Sequence, residues 1–244
     1  MLQAKNVNLY LNKDNRLLIE DFSFSLGEGD KAVIIGEEGN GKSTLLKYLY
    51  EEELVAGYAQ ATGQVIKKGI FGYLPQFMPE AEQELTISEY FADADIYENY
   101  DMVDSLGLDY DFLLSQQSIR TLSGGEKVKI QLLKLLCQKP DALFMDEPTN
   151  GLDPSGIHEI RNLVKSLPDL YDCTVLISSH MLSEMELIAD DIGILNHGRL
   201  LFEGNLDELR QNAQQAGFAA DNLEDMFLSM GDKDNVARKQ RAKL

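Results

Sequence analysis

Tryptophan is absent from this 244-residue chain, and there are only two cysteines and six prolines. Two cysteines cannot build a disulfide scaffold, and Cys137 and Cys173 lie in apolar surroundings, so reduced core thiols are expected. No apolar run approaches the roughly 18 residues that a membrane-spanning helix needs. The opening segment, Met1 to Asn6, has neither a basic start nor an apolar stretch. No signal peptide is read there, and the chain is expected in the cytosol. Positive charge is scarce: 22 Lys and Arg stand against 41 Asp and Glu, for a net charge of −19. Nucleic-acid binding needs cationic surface to displace counterions, so no nucleic-acid partner is expected. With 44% hydrophobic and 26% charged residues, the composition is globular and sufficient for a buried core. Collagen, coiled coil and whole-chain disorder are excluded.

The charge is unevenly spread. Between Phe77 and Ile119 there is no Lys or Arg, while Glu80, Glu82, Glu84, Glu89, Asp93, Asp95, Glu98, Asp101, Asp104, Asp109 and Asp111 all fall there. Such a run is either a solvated face or a surface for a basic partner. Residues 231–244 lean the other way, with Lys233, Arg238, Lys239, Arg241 and Lys243. That tail is read as a flexible, solubilising end or as a contact for anionic lipid.

Hydrophobic patterning predicts strands over residues 2–11 and 17–26, a buried strand at Lys31–Ile35, and one or two short strands within 64–74. A Gly-rich loop at 36–41 leads into a helix from about Lys42. Residues 86–116 read as helix in pieces, broken around Gly107. Residues 124–138 form an amphipathic helix, with Val128, Leu132, Leu135 and Leu136 on one stripe. Further strands are expected at Asp141–Met145 and Thr174–Ser178, a helix at 155–167, a hairpin over 192–204, and short helices near 206–215 and 222–230. Alternating short strands and helices argue for an α/β core with a mainly parallel sheet. The antiparallel start and the helical middle are additions to it.

The segment Gly36, Glu37, Glu38, Gly39, Asn40, Gly41, Lys42, Ser43 fits G-x-x-x-x-G-K-[ST], and Thr44 follows. It lies between a predicted strand and a predicted helix, the context in which such a loop cradles phosphates. Glycines let the backbone curl so that successive N–H groups face an anion at a helix N-terminus. Lys42 would reach the β- and γ-phosphates and Ser43 would hold Mg²⁺. Glu37 and Glu38 are unusual beside a polyanion, so their side chains are expected to point outward. Ala142 to Met145 are apolar and are followed by Asp146 and Glu147. A buried strand delivering Asp146 to its C-terminal edge supplies the carboxylate that Mg²⁺ needs, with Glu147 next to it to polarise a water. Together the two motifs imply nucleoside triphosphate hydrolysis.

Leu122, Ser123, Gly124, Gly125 and Glu126 then open a helix about twenty residues before Asp146 and Glu147. With this motif the chain resembles the ATP-binding-cassette (ABC) ATPases over nearly its whole length. The resemblance implies a P-loop NTPase core with an antiparallel β subdomain and an inserted helical subdomain at about 77–135. It makes 1–230 a single domain. It implies that Ser123, Gly124 and Gly125 bind the γ-phosphate of ATP held by a second cassette in a head-to-tail dimer. Tyr73-Leu-Pro-Gln76 resembles the family's Q-loop, which makes Gln76 a contact to Mg²⁺ and water. Asp153 falls in the D-loop, facing the opposite subunit, and His180 matches the switch histidine beside the γ-phosphate. His158 and His197 are read as surface residues. The family stacks adenine on an aromatic of the first strand; Tyr10 is the candidate, but the position falls on either Tyr10 or Leu11, and alternation makes one residue decisive.

Three uses of such a cassette compete. A chromosome-type ATPase needs a long coiled coil that the segment between Gln76 and Leu122 cannot hold. A ribosome-associated translation ATPase is similar around Glu126-Lys127, but that branch carries two cassettes and a His where Gly151 stands. Leu85–Phe91, Asn150–Pro154, Leu195–Gly204 and Asn222–Phe227 resemble ABC-2-type exporter subunits. The expectation is therefore an ATPase subunit at the inner face of the cell membrane, bound to a separate transmembrane permease, with translation as the alternative. ATP and Mg²⁺ are its expected cofactors, Glu147 its general base. Basic cytoplasmic loops of the permease would suit the acidic 77–119 face.

Overall fold

The computed structural model describes residues 1–215. The expected helix near 222–230, the exporter-like segment Asn222–Phe227 and the basic tail lie outside the described residues.

The chain begins with β1 (Leu2–Leu11) and β2 (Leu17–Leu26). In β1, Leu2, Ala4, Val7 and Leu9 are buried, and the two-residue period slips once. Asn6 causes the slip. Its φ of 48° is left-handed, and the pairing register with β2 shifts between Ala4 and Val7. Next come β3 (Lys31–Ile35), α1 (Lys42–Tyr50), α2 (Glu53–Ala56), β4 (Ala59–Lys67) and β5 (Phe71–Leu74). Strand β4 starts earlier than the patterning predicts. Its first half is a β1 partner, with Leu11 opposite Ala59. Strands β2, β1 and β4 form an antiparallel sheet in that order.

Between β5 and the next long helix the chain makes only short helices: α3 (Glu80–Gln83), α4 (Ile87–Tyr90), α5 (Tyr100–Ser105) and α6 (Tyr110–Leu113). Helices α4 and α6 are held by local side-chain caps, and α4, α5 and α6 each bury at least one side chain in the core. Thr86 and Glu89 form a capping box on α4, and Asp109 caps α6. Phe91, Ile96, Val103, Leu106 and Leu113 join the main core.

Helix α7 (Gly124–Leu136), β6 (Ala142–Asp146), α8 (Pro154–Tyr171), β7 (Thr174–Ser179), α9 (Leu182–Met185), β8 (Asp191–Asn196), β9 (Arg199–Asn205) and α10 (Leu206–Gln215) complete the described chain. Helix α8 runs past Pro168, where patterning predicts an end. The proline lies in the last turn, where it removes only one backbone bond, and the helix stops at Asp172 in a left-handed conformation (φ 50°). The β8–β9 hairpin turns through His197 and Gly198, both with positive φ. A side chain at Gly198 would run into the Leu18 carbonyl.

The second sheet has the order β5-β6-β7-β3-β8-β9, all parallel except β9. Strand alternation sends Val33, Ile35, Leu143, Met145, Val175 and Ile177 to the face covered by α7 and α8. It sends Ala32, Ile34, Ala142, Phe144 and Leu176 to the face covered by α1 and the antiparallel sheet. A sheet covered on both faces needs near-continuous apolar strands, which is how β3, β6 and β7 read. No helix among the described residues is long and apolar enough to cross a membrane. Cys137 and Cys173 are both free.

Candidate functional site

Strand β3 ends at Ile35 in the middle of the parallel sheet, and the chain turns back over its edge. Gly39 (φ 80°) and Gly41 (φ 90°) make that turn, and Gly41 is the N-cap of α1. No side chain caps α1 and no acid occupies its first turn, so its N-terminal end is left available to an anion. The loop is tied at both sides. Gly36 N–H donates to the Ser179 carbonyl at 3.1 Å. Asn40 Nδ2 donates to the Leu195 carbonyl at 3.3 Å, and Asn40 Oδ1 accepts from His197 N–H at 3.2 Å. Lys42, only 5% exposed, curls back to donate to the carbonyls of Gly36 (2.7 Å) and Glu37 (3.2 Å). Glu37 and Glu38 are both exposed, but only Glu37 lies off the cleft described below; Glu38, expected to point outward, borders it.

Asp146 ends β6 and is 2% exposed. Its carboxylate is fully engaged. Oδ1 accepts from Ser43 Oγ at 2.9 Å and Ser178 Oγ at 2.6 Å, and Oδ2 accepts from Tyr73 OH at 3.2 Å. Burial, reinforced by the Asp146 charge and hydrogen bond, holds the Tyr73 phenol well above its usual range, so it stays a donor. Glu147 follows with a φ of 50°, a conformation that non-glycine residues rarely adopt. Its N–H donates to the Ser178 carbonyl at 3.1 Å, which anchors the turn to β7. That turn carries the Glu147 carboxylate to Lys42 Nζ at 3.0 Å through Oε1 and to His180 Nδ1 at 2.6 Å through Oε2. Lys42 and Glu147 side chains are 5% and 7% exposed, so each neutralises a charge otherwise costly to bury.

Of these groups, Lys42, Ser43 and Glu147 border a cleft of about 460 Å³, lined also by Gly39, Gly41 and Thr44 of the loop and by Gln76. Leu11 and Leu18 form its apolar wall. Tyr10, the candidate stacking residue, is not among the lining residues. Successive residues of β1 face opposite ways, and Leu11 takes the cleft side. Of the two candidate positions, Leu11 is the one that lines the cleft.

Ser123, Gly124, Gly125 and Asp153 line a different cleft of about 430 Å³, which shares no lining residue with the first. Ser123 caps α7 in a capping box, its N–H and hydroxyl both donating to Glu126 Oε2 at 2.8 Å. Asp153 caps α8, accepting from Gly156 N–H at 2.8 Å. His158 and His197 are exposed.

The donor set suits a hard divalent ion. Ser43 Oγ and Asp146 Oδ1 are neighbouring oxygens, with Gln76 on the same cleft. Mg²⁺ takes one or two such protein oxygens and completes its shell with water and phosphate. No group of three or more His, Cys, Asp or Glu suited to a metal occurs among the described residues.

Three contributions were not read from the sequence. Tyr73 was noted only as part of the segment ending at Gln76; its hydroxyl bond to Asp146 depends on β5 lying beside β6, with Tyr73 opposite Phe144. Ser178 ends the apolar run of β7 and donates its hydroxyl to Asp146; two buried serines closing an apolar strand are the signal that the sequence carries. Asn40, expected at the phosphates, spends its amide on the β8–β9 hairpin.

The profile of the ABC transporter family matches residues 19–150. An uncharacterised ABC transporter ATP-binding protein, YcbN of Bacillus subtilis, is 32% identical over 81% of this chain and 68% of its own length. The zinc import ATP-binding protein ZnuC of Photobacterium profundum is 34% identical over 75% of this chain and 70% of its own. The energy-coupling factor transporter ATP-binding protein EcfA2 of Clostridioides difficile is 29% identical over 92% and 83%. Among solved structures, an ATP-binding subunit of an ABC transporter superposes with a TM-score of 0.72 at 23% identity, over 93% of this chain and 99% of that one, a likeness of fold. With a glycine-bordered cleft, a lysine and two carboxylates in that fold, the chain belongs to the ABC transporter family as an ATP-binding subunit, an ATPase.

Proposed function

We propose that this subunit hydrolyses MgATP to drive a separate transmembrane permease, and that its direction is export. The observation that carries the catalytic part is the chain of contacts Lys42–Glu147–His180 beside Ser43–Asp146 at one cleft. The loop Gly36 to Thr44 binds the triphosphate through Lys42 and those of its backbone N–H groups that are not already bonded, the Gly36 N–H being spent on Ser179. Ser43, Asp146 and Gln76 would hold Mg²⁺, which neutralises developing charge on the phosphates. Glu147 is the general base, and His180 orients it. Because Lys42 is paired with Glu147, nucleotide binding exchanges one anionic partner of Lys42 for another and frees Glu147 to receive a water proton. Glu147→Gln is expected to bind ATP and to lose about 10²- to 10⁴-fold in turnover. Hydrolysis at the wild-type rate would remove the base assignment.

Two subunits are needed for a complete site. Ser123, Gly124, Gly125 and Asp153 border a cleft separate from the one with Lys42, which supports a head-to-tail pair in which each signature segment caps the partner's ATP. The permease docks on the 77–135 helical subdomain at the inner face of the membrane. A groove of about 470 Å³ between Tyr73, Pro75, Pro79 and α7 supports this. It exposes Leu54, leaves Leu135 half-buried, and contains Gln131, which is 5% exposed and whose side chain has no hydrogen-bond partner among the described residues. A buried amide left unpaired favours an incoming polar main chain.

Import is a second reading, favoured by relatives whose names describe zinc import and energy-coupling factors. Purification of the tagged subunit from membranes tests the partnership through recovery of a multi-span protein. Reconstituting the recovered complex in vesicles, with ATP supplied on the side of this subunit, gives the direction.

A further inference from the structure

We propose that Tyr73 is a positioning residue that couples occupancy of the groove to the orientation of the Asp146 carboxylate. This rests on the reading of the groove as the permease's docking place. Tyr73 sits in two places at once. Its ring lines the groove and stacks on Tyr50, the last residue of α1, with centroids 5.4 Å apart. Its hydroxyl donates to Asp146 Oδ2 at 3.2 Å.

The two oxygens of Asp146 are held from different directions. Oδ1 takes both serine hydroxyls, one from α1 and one from β7, both parts of the nucleotide-binding layer. Oδ2 takes Tyr73 alone among the side chains bonded to this carboxylate. Rotation of the carboxylate about its terminal torsion is soft, and with Oδ1 held by the two serines, the phenol is the side chain that fixes Oδ2. A segment seated in the groove presses on the Tyr50–Tyr73 pair and shifts that hydroxyl. The oxygen set offered to Mg²⁺ at Ser43 and Asp146 changes with it. Helix α1 completes the link, because Ser43 stands at its start and Tyr50 at its end.

Tyr73→Phe removes the hydroxyl and keeps the ring and its stacking. The full-length subunit is titrated with a fluorescent ATP analogue, once in chelator and once with magnesium. In chelator the variant is expected to match wild type within about two-fold. The gain in affinity on adding magnesium should shrink by about ten-fold or more, the scale of one hydrogen bond to a charged group. Tyr50→Phe should leave both affinities at wild-type values. In the permease complex, Tyr73→Phe should also lower the ratio of permease-bound to free ATP hydrolysis. A wild-type magnesium gain in Tyr73→Phe overturns the proposal. So does an equal loss with and without magnesium, above all with a lower melting temperature, because that assigns Tyr73 to packing. An unchanged stimulation ratio overturns the coupling while leaving the docking reading intact. If wild type recovers no permease, the docking reading itself fails and takes the coupling with it.

Discussion

Lys42 and Glu147 lie at the centre of the residue-scale chemistry. On the proposed reading, their buried ion pair means that a phosphate must compete with Glu147 for Lys42. Glu147→Gln removes the competitor, so nucleotide affinity measured without magnesium at low subunit concentration should rise several-fold; an unchanged Kd would mean that the pair does not resist binding. The motif spacing made both residues legible, because a glycine loop before a helix and an acid pair after a buried strand are local patterns. Their contact is not local, and neither is the left-handed Glu147 backbone that permits it. Cys173 offers a second test at this scale. Burial pushes its thiol up to about 12 from an ordinary 9.0. The folded state therefore keeps a proton that the unfolded chain releases above pH 9. The stability from this group is complete below pH 9 and is lost as pH rises toward 12. Chemical denaturation followed across that window should show falling stability, and a Cys173→Ala variant should flatten this part of the curve.

At the scale of elements, periodicity carried most of the reading. Strands β1, β2 and β3 have the boundaries that patterning predicts, because alternation and β-branched runs are properties of neighbouring residues. Two ends were less legible. Strand β4 begins early because β1 offers it a pairing edge, and α8 continues through Pro168 because the loss of one bond in a last turn is tolerated. The cap after α8 is open to test. Asp172 has a φ of 50°, which costs an L-residue about 1 kcal/mol relative to glycine. Asp172→Gly should raise the melting temperature by about 2–4 °C in a chain of this size, read by calorimetry. A drop would mean that the Asp172 side chain contributes more than its backbone costs.

For the whole molecule, the proposed head-to-tail pairing rests on the separation of the two clefts. Glu147→Gln with MgATP is expected to shift from monomer to dimer in light scattering, and Ser123→Arg, which fills the second cleft, should prevent the shift. A strictly monomeric Glu147→Gln would sink the head-to-tail arrangement. The acidic face belongs to this scale as well. Asp101 and Asp104 are exposed and form no ion pair among the described residues, whereas Asp93 pairs with Lys134 at 2.9 Å. Reversing Asp101 and Asp104 to lysine should reduce recovery of the permease at low salt and matter little at high salt, where such fields are screened. Equal recovery at low salt would leave the run as a solvated face.

The sequence by itself determined the kinds of element, the phosphate loop and the pair of acids, since each depends on spacing within a few residues. Which side chains meet across the sheet was decided only by the tertiary structure. Ser43 and Asp146 are 103 residues apart, and Tyr73 and Asp146 are 73 apart. Their meeting depends on strand order and on a pairing register that no local pattern specifies. The same holds for Leu11 taking the cleft position instead of Tyr10. A one-residue difference in facing is set by the bulge and pairing of β1, and those are consequences of packing.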